Sequence, residues 1–171
     1  SIQLFQLLLF LLLNYIFVTV SYYTEYQSSL LETNFFEVRE SLIPNAGLGL
    51  FAAKFISKNT YLMEYKGYRF RNEEEYFERY PDGQGRYVAC INERIPLPIV
   101  GKELSEPIYI DGIDKENSNL SRYMNSSSNN NVYWKKQRWF GGKMYFYAKR
   151  NIQPNEELCF DYGANYWDAV K

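Results

Sequence analysis

A pair of glycines, Gly47 and Gly49, flanks one leucine and marks a place where the backbone could serve a bound ligand. Glycine has no Cβ, so its backbone can approach a ligand closely or adopt a positive φ without steric cost. The third glycine and following helix of a dinucleotide-binding fingerprint are absent here. A β-turn that uses two glycines is the alternative interpretation.

Three further segments combine polar or reactive side chains with apolar neighbours, at residues 64–67, 119–125 and 157–163. The second places Asn and Arg inside an apolar frame, and buried polar groups need hydrogen-bond partners. Taken singly, the segments are also typical of a strand end with a turn glycine, a capped helix end and a strand that leads into a turn. Their chemistry therefore depends on the elements that position them.

The absence of histidine limits the possible chemistry. The chain contains no histidine and two cysteines, Cys90 and Cys159. Ser-His-Asp and Cys-His catalysis, four-cysteine zinc sites and iron–sulfur clusters are therefore excluded, and we expect no metal site. Each cysteine lies in an apolar, strand-like run, which favours two buried free thiols, while a disulfide between them stays open.

The composition indicates one folded domain, either alone or with an extension. The 171 residues suffice to bury a core without disulfides. The 17 Tyr and 12 Phe favour strands. A net charge of -1 argues against direct nucleic-acid binding within this domain.

Short strands separated by turns are predicted along most of the chain. The strands are expected at residues 36–39, 48–52, 61–65, 87–91, 108–110, 144–148 and 158–160. A helix is predicted over residues 72–80, with Asn72 as its N-cap and acidic residues in its first turn. A short helix is expected at 117–124 and a loop at 126–131. This pattern predicts a mainly β (β-rich α+β) domain.

The chain begins with an apolar run over residues 2–20, close to the ~20 residues that a membrane-spanning helix needs. A membrane segment, a signal-peptide core without its charged region, an artefact of gene prediction and a helix packed on a partner are all open interpretations. We expect residues 1–20 to form this apolar leader and residues 21–34 a linker. The main domain is expected at 35–167 and a tail at 168–171.

In this order and at these separations, the segments resemble the successive motifs of the SET domain of protein lysine methyltransferases. The motifs are AGLGLFA (residues 46–52), EYKG (64–67), NLSRYMN (119–125) and EELCFDYG (156–163), and the resemblance covers about residues 36–167. Residues 110–115, ahead of the third motif, look most like the PR-type subgroup.

The resemblance implies a SET-domain fold of several small antiparallel sheets with short helices. It also implies methyl transfer from S-adenosylmethionine to a lysine of a protein substrate, by default a histone tail in the nucleus. Association with a membrane through residues 2–20 is the alternative location. A peptide groove is expected along residues 86–92 and 103–110, where a substrate could add as a strand.

Roles for individual residues follow from the same resemblance. Tyr162 matches the catalytic tyrosine, Tyr65 lines the lysine channel, and Phe160 occupies the position thought to favour di- or trimethylation. Asp161 is expected to hydrogen-bond local backbone. The residues expected to hold the cofactor are Ala46, Gly47, Leu48, Arg122, Tyr123, Asn125 and Trp167.

The chain departs from the family pattern at Ser126, where many SET domains carry histidine. The cysteine-rich segments that flank some SET domains are also absent from this sequence. These departures leave open an alternative function, a catalytically inactive SET-like module that binds a protein partner.

Overall fold

The computed structural model describes residues 34–83, 85–97, 102–137 and 142–163, together with Gln6, Leu8, Leu9, Leu11, Leu12, Tyr15 and Ile16. Of residues 92–97 and 102–106 the backbone alone is described. The chain divides into two units, Ser1–Phe35 and Phe36–Lys171. Most of the predicted leader and linker, and the whole predicted tail with Trp167, lie outside the described residues.

The described residues of the leader, between positions 6 and 16, are helical. Among all residues that the structure describes, no helix is both long and apolar enough to cross a membrane.

The second unit consists mainly of short strands. In chain order, its elements are β1 (Phe36–Glu40), β2 (Leu48–Ala52), β3 (Tyr61–Glu64), β4 (Tyr68–Arg69), helix α1 (Glu73–Arg79), β5 (Val88–Leu97), β6 (Lys102–Asp111), a 3-10 helix (Leu120–Tyr123), β7 (Asn125–Ser126), β8 (Val132–Gln137), β9 (Lys143–Ala148) and β10 (Cys159–Phe160).

The strands form several small sheets. β1 pairs with β2, β3–β9–β8 forms one three-stranded sheet, and β4–β6–β5 forms another. All of these pairs are antiparallel. The predicted mainly β fold of several small antiparallel sheets with short helices is therefore confirmed.

A tight turn joins β1 to β2 and carries part of the predicted cofactor site. Asn45 and Gly47 have φ values of 63° and 74°, in the left-handed region that Asn and Gly tolerate best. The amide of Ser41 donates to the carbonyl of Gly47 at 2.8 Å and closes the turn. We call residues 41–48 the β1–β2 turn.

Residues 156–160 pair with two segments that are far from them in sequence. The amide of Leu158 donates to Leu50 O of β2, and β10 pairs in parallel with β7, with Cys159 opposite Asn125. Since β7 and β10 are far apart in sequence, this pairing places the third and fourth sequence motifs side by side.

Buried and half-buried side chains alternate along β9. Met144, Phe146 and Ala148 are buried, while the residues between them are half-buried. This period of two is that of a strand with one face on the core. Phe51 of β2 and Ile110 of β6 are also fully enclosed.

Three of the sequence predictions need correction. Cys90 is exposed rather than buried, because Ile91 takes the core face of β5 and its neighbour points to the opposite face. The predicted loop at 126–131 begins with a β7 residue, Ser126. β5 and β6 are much longer than predicted, because they pair with each other over their whole lengths.

Two other predictions are confirmed. α1 begins after Asn72, whose side chain accepts the amide of Glu75 at 2.9 Å as an N-cap. Both cysteines are free thiols and Cys159 is buried, as expected.

Candidate active site

Four aromatic rings from different elements pack in a continuous row through the domain. The ring of Tyr65 lies 6.2 Å from that of Phe146, Phe146 lies 4.7 Å from Phe160, and Phe160 lies 4.7 Å from Tyr162. Tyr65 and Phe160 are buried, and Tyr162 is partly exposed at one end. We call these four residues the aromatic row. It brings together three residues that the sequence predicted for the lysine side of the site.

Tyr162 is held at both its backbone and its side chain by the segment around Asn125. Its hydroxyl donates to the carbonyl of Met124 at 2.8 Å, and its amide donates to Ser126 Oγ at 3.3 Å. The hydroxyl is thereby oriented before any ligand binds.

Tyr65 is fixed at the opposite end of the row. Its hydroxyl donates to the carbonyl of Tyr87 at 2.5 Å, and the amide of Gly112 donates to the same carbonyl at 2.9 Å. A Cβ on Gly112 would lie 2.8 Å from the Tyr65 hydroxyl oxygen, so this position needs a residue without a side chain.

The predicted cofactor residues of the β1–β2 turn lie beside Asn125. The side-chain amide of Asn125 donates to the carbonyl of Leu48 at 3.0 Å. A Cβ built on Gly47 would have no heavy atom within 4 Å, so open space adjoins the turn at this point. Ala46 is half-buried and donates its amide to Ile43 O at 3.1 Å.

Arg122 presents unused hydrogen-bond donors. Its Nη2 donates to the carbonyl of Ile113 at 2.9 Å, and its guanidinium lies 5.2 Å from the Tyr87 ring and 5.3 Å from the Tyr123 ring. Within the part of the chain that the structure describes, its buried Nε and Nη1 have no hydrogen-bond partner. Buried donors of this kind favour an acceptor such as a carboxylate.

The two groups of predicted cofactor residues approach each other through their elements. The 3-10 helix that carries Arg122 and Tyr123 packs against β2, the strand that begins at Leu48. Trp167, the remaining predicted cofactor residue, lies outside the described residues.

The Cys159 thiol lies in β10, where it is buried. Burial, with a smaller contribution from the negative charge of Glu157, raises the pKa of Cys159 to about 12. Only a thiolate is strongly nucleophilic, so this thiol is inert at neutral pH. Asp161 accepts the amide of Gly163 at 2.8 Å, in line with its predicted local role.

The sequence did not identify Phe146, Ser41 or Glu157 as part of the site, and it gave Tyr87 a place in the predicted peptide groove but no contact with Tyr65. Phe146 was predicted to be in a strand, but its place in the aromatic row depends on which strands pair. Glu157 lay in a quoted motif without a role, and Ser41 had no signal in the sequence. Their contacts with Asn125 cross more than 30 residues of chain, which local patterns do not report.

The chain has relatives among proteins of known activity. It matches the SET domain family over residues 47–163. Histone-lysine N-methyltransferase set-17 of Caenorhabditis elegans is 31% identical over 131 residues, which are 77% of this chain and 42% of that protein. Histone-lysine N-methyltransferase, H3 lysine-36 specific, of Debaryomyces hansenii is 31% identical over 126 residues, 72% of this chain and 16% of that protein.

A solved structure shares the fold. The crystal structure of an active polycomb repressive complex 2 in the basal state superposes with a TM-score of 0.54 and 26% identity, covering 76% of this chain and 15% of that chain. This chain thus spans less than half the length of the relatives described above. Because the family match extends over more than half of the sequence, the chain belongs to the SET domain family.

Proposed function

We propose that this protein is an S-adenosylmethionine-dependent protein lysine N-methyltransferase. The observation that carries the proposal is the aromatic row, which ends at Tyr162 beside the β7 segment with Asn125. Membership of the SET domain family supports the same reaction class.

On the lysine side, the aromatic row provides a wall that favours a neutral amine. Burial against Tyr65, Phe160 and Tyr162 disfavours the ammonium form and lowers the pKa of an inserted lysine. The same rings attract an alkylated ammonium product through cation–π interactions. The site therefore needs no strong general base, in agreement with a sequence that contains no histidine.

The Tyr162 hydroxyl would orient the lysine. Because this hydroxyl donates its proton to the carbonyl of Met124, its oxygen can still accept a hydrogen bond from the incoming amine. Fixed alignment of the reacting groups is the main contribution that a site of this kind makes to the rate.

On the other side, the residues present fit the cofactor. The open space at Gly47 leaves room for a ligand against the backbone of the β1–β2 turn, and the unpaired Nε and Nη1 of Arg122 suit a carboxylate. Ala46, Gly47, Leu48, Arg122, Tyr123 and Asn125 would hold S-adenosylmethionine, and Trp167 would add a stacking surface. When bound, this cofactor supplies a methyl group activated by its sulfonium.

Phe160 favours transfer of more than one methyl group. It is buried between Phe146 and Tyr162 and carries no hydroxyl that would hold a water in the channel. We therefore propose di- or trimethylation as the product.

A histone tail is the proposed substrate, and the nucleus the proposed location. Both relatives described above carry histone-lysine N-methyltransferase in their names, and the name of the second specifies H3 lysine-36. A peptide would lie along β5, an edge strand that pairs on one side only within the part of the chain that the structure describes.

Methyl transfer from labelled S-adenosylmethionine to a histone mixture tests the proposal, with Tyr162→Phe as the variant. We expect the wild-type protein to label a histone, and the variant to lose about two orders of magnitude in rate, as for loss of one positioned polar group at other enzyme sites. Calorimetry should detect cofactor binding by both proteins.

The negative outcomes separate the two candidate functions. Cofactor binding without methyl transfer would indicate that the histone mixture does not contain the substrate. A protein that neither binds the cofactor nor transfers label would overturn the enzymatic proposal and leave the inactive, partner-binding module.

A further inference from the structure

Glu157 connects three separate segments through its carboxylate. Its Oε1 accepts the Ser41 hydroxyl at 2.6 Å and the side-chain amide of Asn125 at 3.1 Å. Its Oε2 accepts the backbone amide of Leu42 at 2.8 Å. The side chain comes from the segment just before β10, so one residue joins the β1–β2 turn to β7.

The donors around Glu157 require a side chain with two oxygens that both accept hydrogen bonds. Leu42 N–H and the Asn125 amide are obligate donors, and they bind different oxygens of the carboxylate. A glutamine at this position would turn an NH₂ group towards one of these donors. The site therefore distinguishes a carboxylate from an amide of nearly the same shape.

The position of the carboxylate also explains Gly49. A Cβ built on Gly49 would overlap with Glu157 Oε1 and lie 3.2 Å from Phe51 Cε2, so the carboxylate occupies the space beside this glycine. The second glycine of the pair is thus required by Glu157, whereas the first, at φ 74°, shapes the turn.

Ser41 extends the connection to the predicted cofactor residues. Its amide donates to Gly47 O at 2.8 Å, and its Oγ accepts the amide of Ile43 at 3.0 Å and the side-chain amide of Asn125 at 3.2 Å. The same amide of Asn125 reaches Leu48 O. The conformation of residues 41–48 and the orientation of Asn125 therefore depend on one carboxylate.

We propose that Glu157 is a positioning residue that fixes the β1–β2 turn against Asn125 and so sets the affinity of the cofactor site. This role rests on the proposed function. Glu157 acts through Ser41, Leu42 and Asn125 and need not touch the cofactor.

The adjacent residue, Glu156, offers a matched control. Its carboxylate accepts the amide of Gln153 at 2.7 Å and pairs with Arg150 at 2.7 Å. Glu156→Gln therefore removes the same charge one position away, at the turn before β10 instead of at the β1–β2 turn.

The test compares the wild-type protein with Glu157→Gln and Glu156→Gln by calorimetric titration with S-adenosylmethionine. In Glu157→Gln, Kd and KM for the cofactor should rise by about tenfold or more, because hydrogen bonds to a charged acceptor are lost. The kcat at saturating cofactor and the KM for a histone peptide should stay within about twofold, since the aromatic row is untouched. Glu156→Gln should bind the cofactor like the wild type.

Amide hydrogen exchange without cofactor gives a second readout. In Glu157→Gln, the amides of Leu42 and of residues 46–48 should exchange faster than in the wild type. If Glu157→Gln does not fold, Ser41→Ala removes one partner of the carboxylate, and it should raise the Kd for the cofactor severalfold.

Each outcome decides the role of Glu157. Faster exchange with an unchanged Kd for the cofactor would overturn it, as would a fall in kcat with no change in KM for the cofactor. Unchanged exchange would show that the carboxylate does not hold the turn. A wild-type protein that binds no S-adenosylmethionine would overturn the proposed function as well, whereas an equal Kd for the cofactor in the wild type and in Glu157→Gln would overturn this inference alone.

Discussion

Ser126 stands where many SET domains carry histidine, and its contact gives the replacement a physical meaning. Its hydroxyl accepts the amide of Tyr162, and its backbone pairs with Phe160 across β7 and β10. The serine thus anchors the tyrosine proposed to orient the lysine. A hydroxyl suffices for this contact, which supports an active site despite the departure from the family pattern.

Replacement of this hydroxyl should therefore affect the rate of methyl transfer. Ser126→Ala leaves the partly buried amide of Tyr162 without its acceptor, at a cost of about 1 kcal/mol in stability. We expect kcat to fall severalfold, because Tyr162 is less firmly placed, and Ser126→Thr to restore most of it. Steady-state kinetics and thermal unfolding measure the two effects.

Ser128→Ala serves as the control, since Ser128 is exposed in the same serine run. Wild-type kinetics for Ser126→Ala would contradict the positioning of Tyr162 by this serine.

At the scale of single elements, α1 packs on β6 and is linked to Arg122 by hydrogen bonds. Tyr76 of α1 stacks on Tyr109 of β6 with ring centroids 3.9 Å apart. The next residue after α1, Tyr80, donates its hydroxyl to the buried carboxylate of Asp111 at 2.7 Å, and Asp111 accepts the amide of Ile113 at 2.9 Å. Since Ile113 O holds Arg122, the short helix supports the cofactor side through a chain of hydrogen bonds.

Glu75, in the first turn of α1, should contribute to the stability of the fold in a way that is lost in acid. The Tyr68 hydroxyl, followed by the backbone amide of Arg71, stabilises the charged form of Glu75 and lowers its pKa from 4.5 to about 2. A depressed pKa in the folded state means that this contribution is complete above pH 4.5 and is lost as the pH falls towards 2.

Glu75→Gln should weaken the decline in melting temperature between pH 4.5 and pH 2, compared with the wild type. Thermal unfolding followed by circular dichroism across this pH range measures the difference. Glu74→Gln, at an exposed position of the same turn, is the control. If the melting temperatures of Glu75→Gln and the wild type decline by the same amount over this pH range, the contact of Glu75 with Tyr68 does not stabilise the fold.

At the scale of the whole molecule, Asn131 joins segments that are far apart in sequence. Its Oδ1 accepts the amide of Cys159 at 2.9 Å, and its Nδ2 donates to Glu157 O at 2.8 Å. Its backbone carbonyl also accepts the amide of Lys149 at 2.8 Å. This buried side chain holds β10 in place between β7 and β2, and thereby Glu157 and Tyr162.

Asn131→Ala should destabilise the domain by about 2–4 kcal/mol, because it leaves a buried amide and a partly buried carbonyl without these partners. Chemical denaturation gives the free energy of unfolding. Asn129→Ala, at an exposed position in the same asparagine run, should change stability by less than about 0.5 kcal/mol. Equal effects of the two substitutions would mean that β10 is held by its strand pairing alone.

Local patterns in the sequence were sufficient for the elements whose causes are local. The N-cap at Asn72, the turn between the strands predicted at 36–39 and 48–52, and the strand predicted at 144–148 each depend on neighbouring residues, and the structure confirms them. The family resemblance predicts Tyr65, Phe160 and Tyr162 for the lysine side of the site and Ala46, Gly47 and Leu48 for the cofactor side.

Only the tertiary structure decided how these parts meet. The parallel pairing of β7 with β10, the stacking of Phe146 into the aromatic row and the bonds of Glu157 all join residues that are distant in the chain. The hydrophobic periodicity of a sequence indicates which face of a strand is buried, but it does not indicate which other strand pairs with it. The exposure of Cys90 had the same cause, since an apolar run does not tell which of two alternating neighbours faces the core.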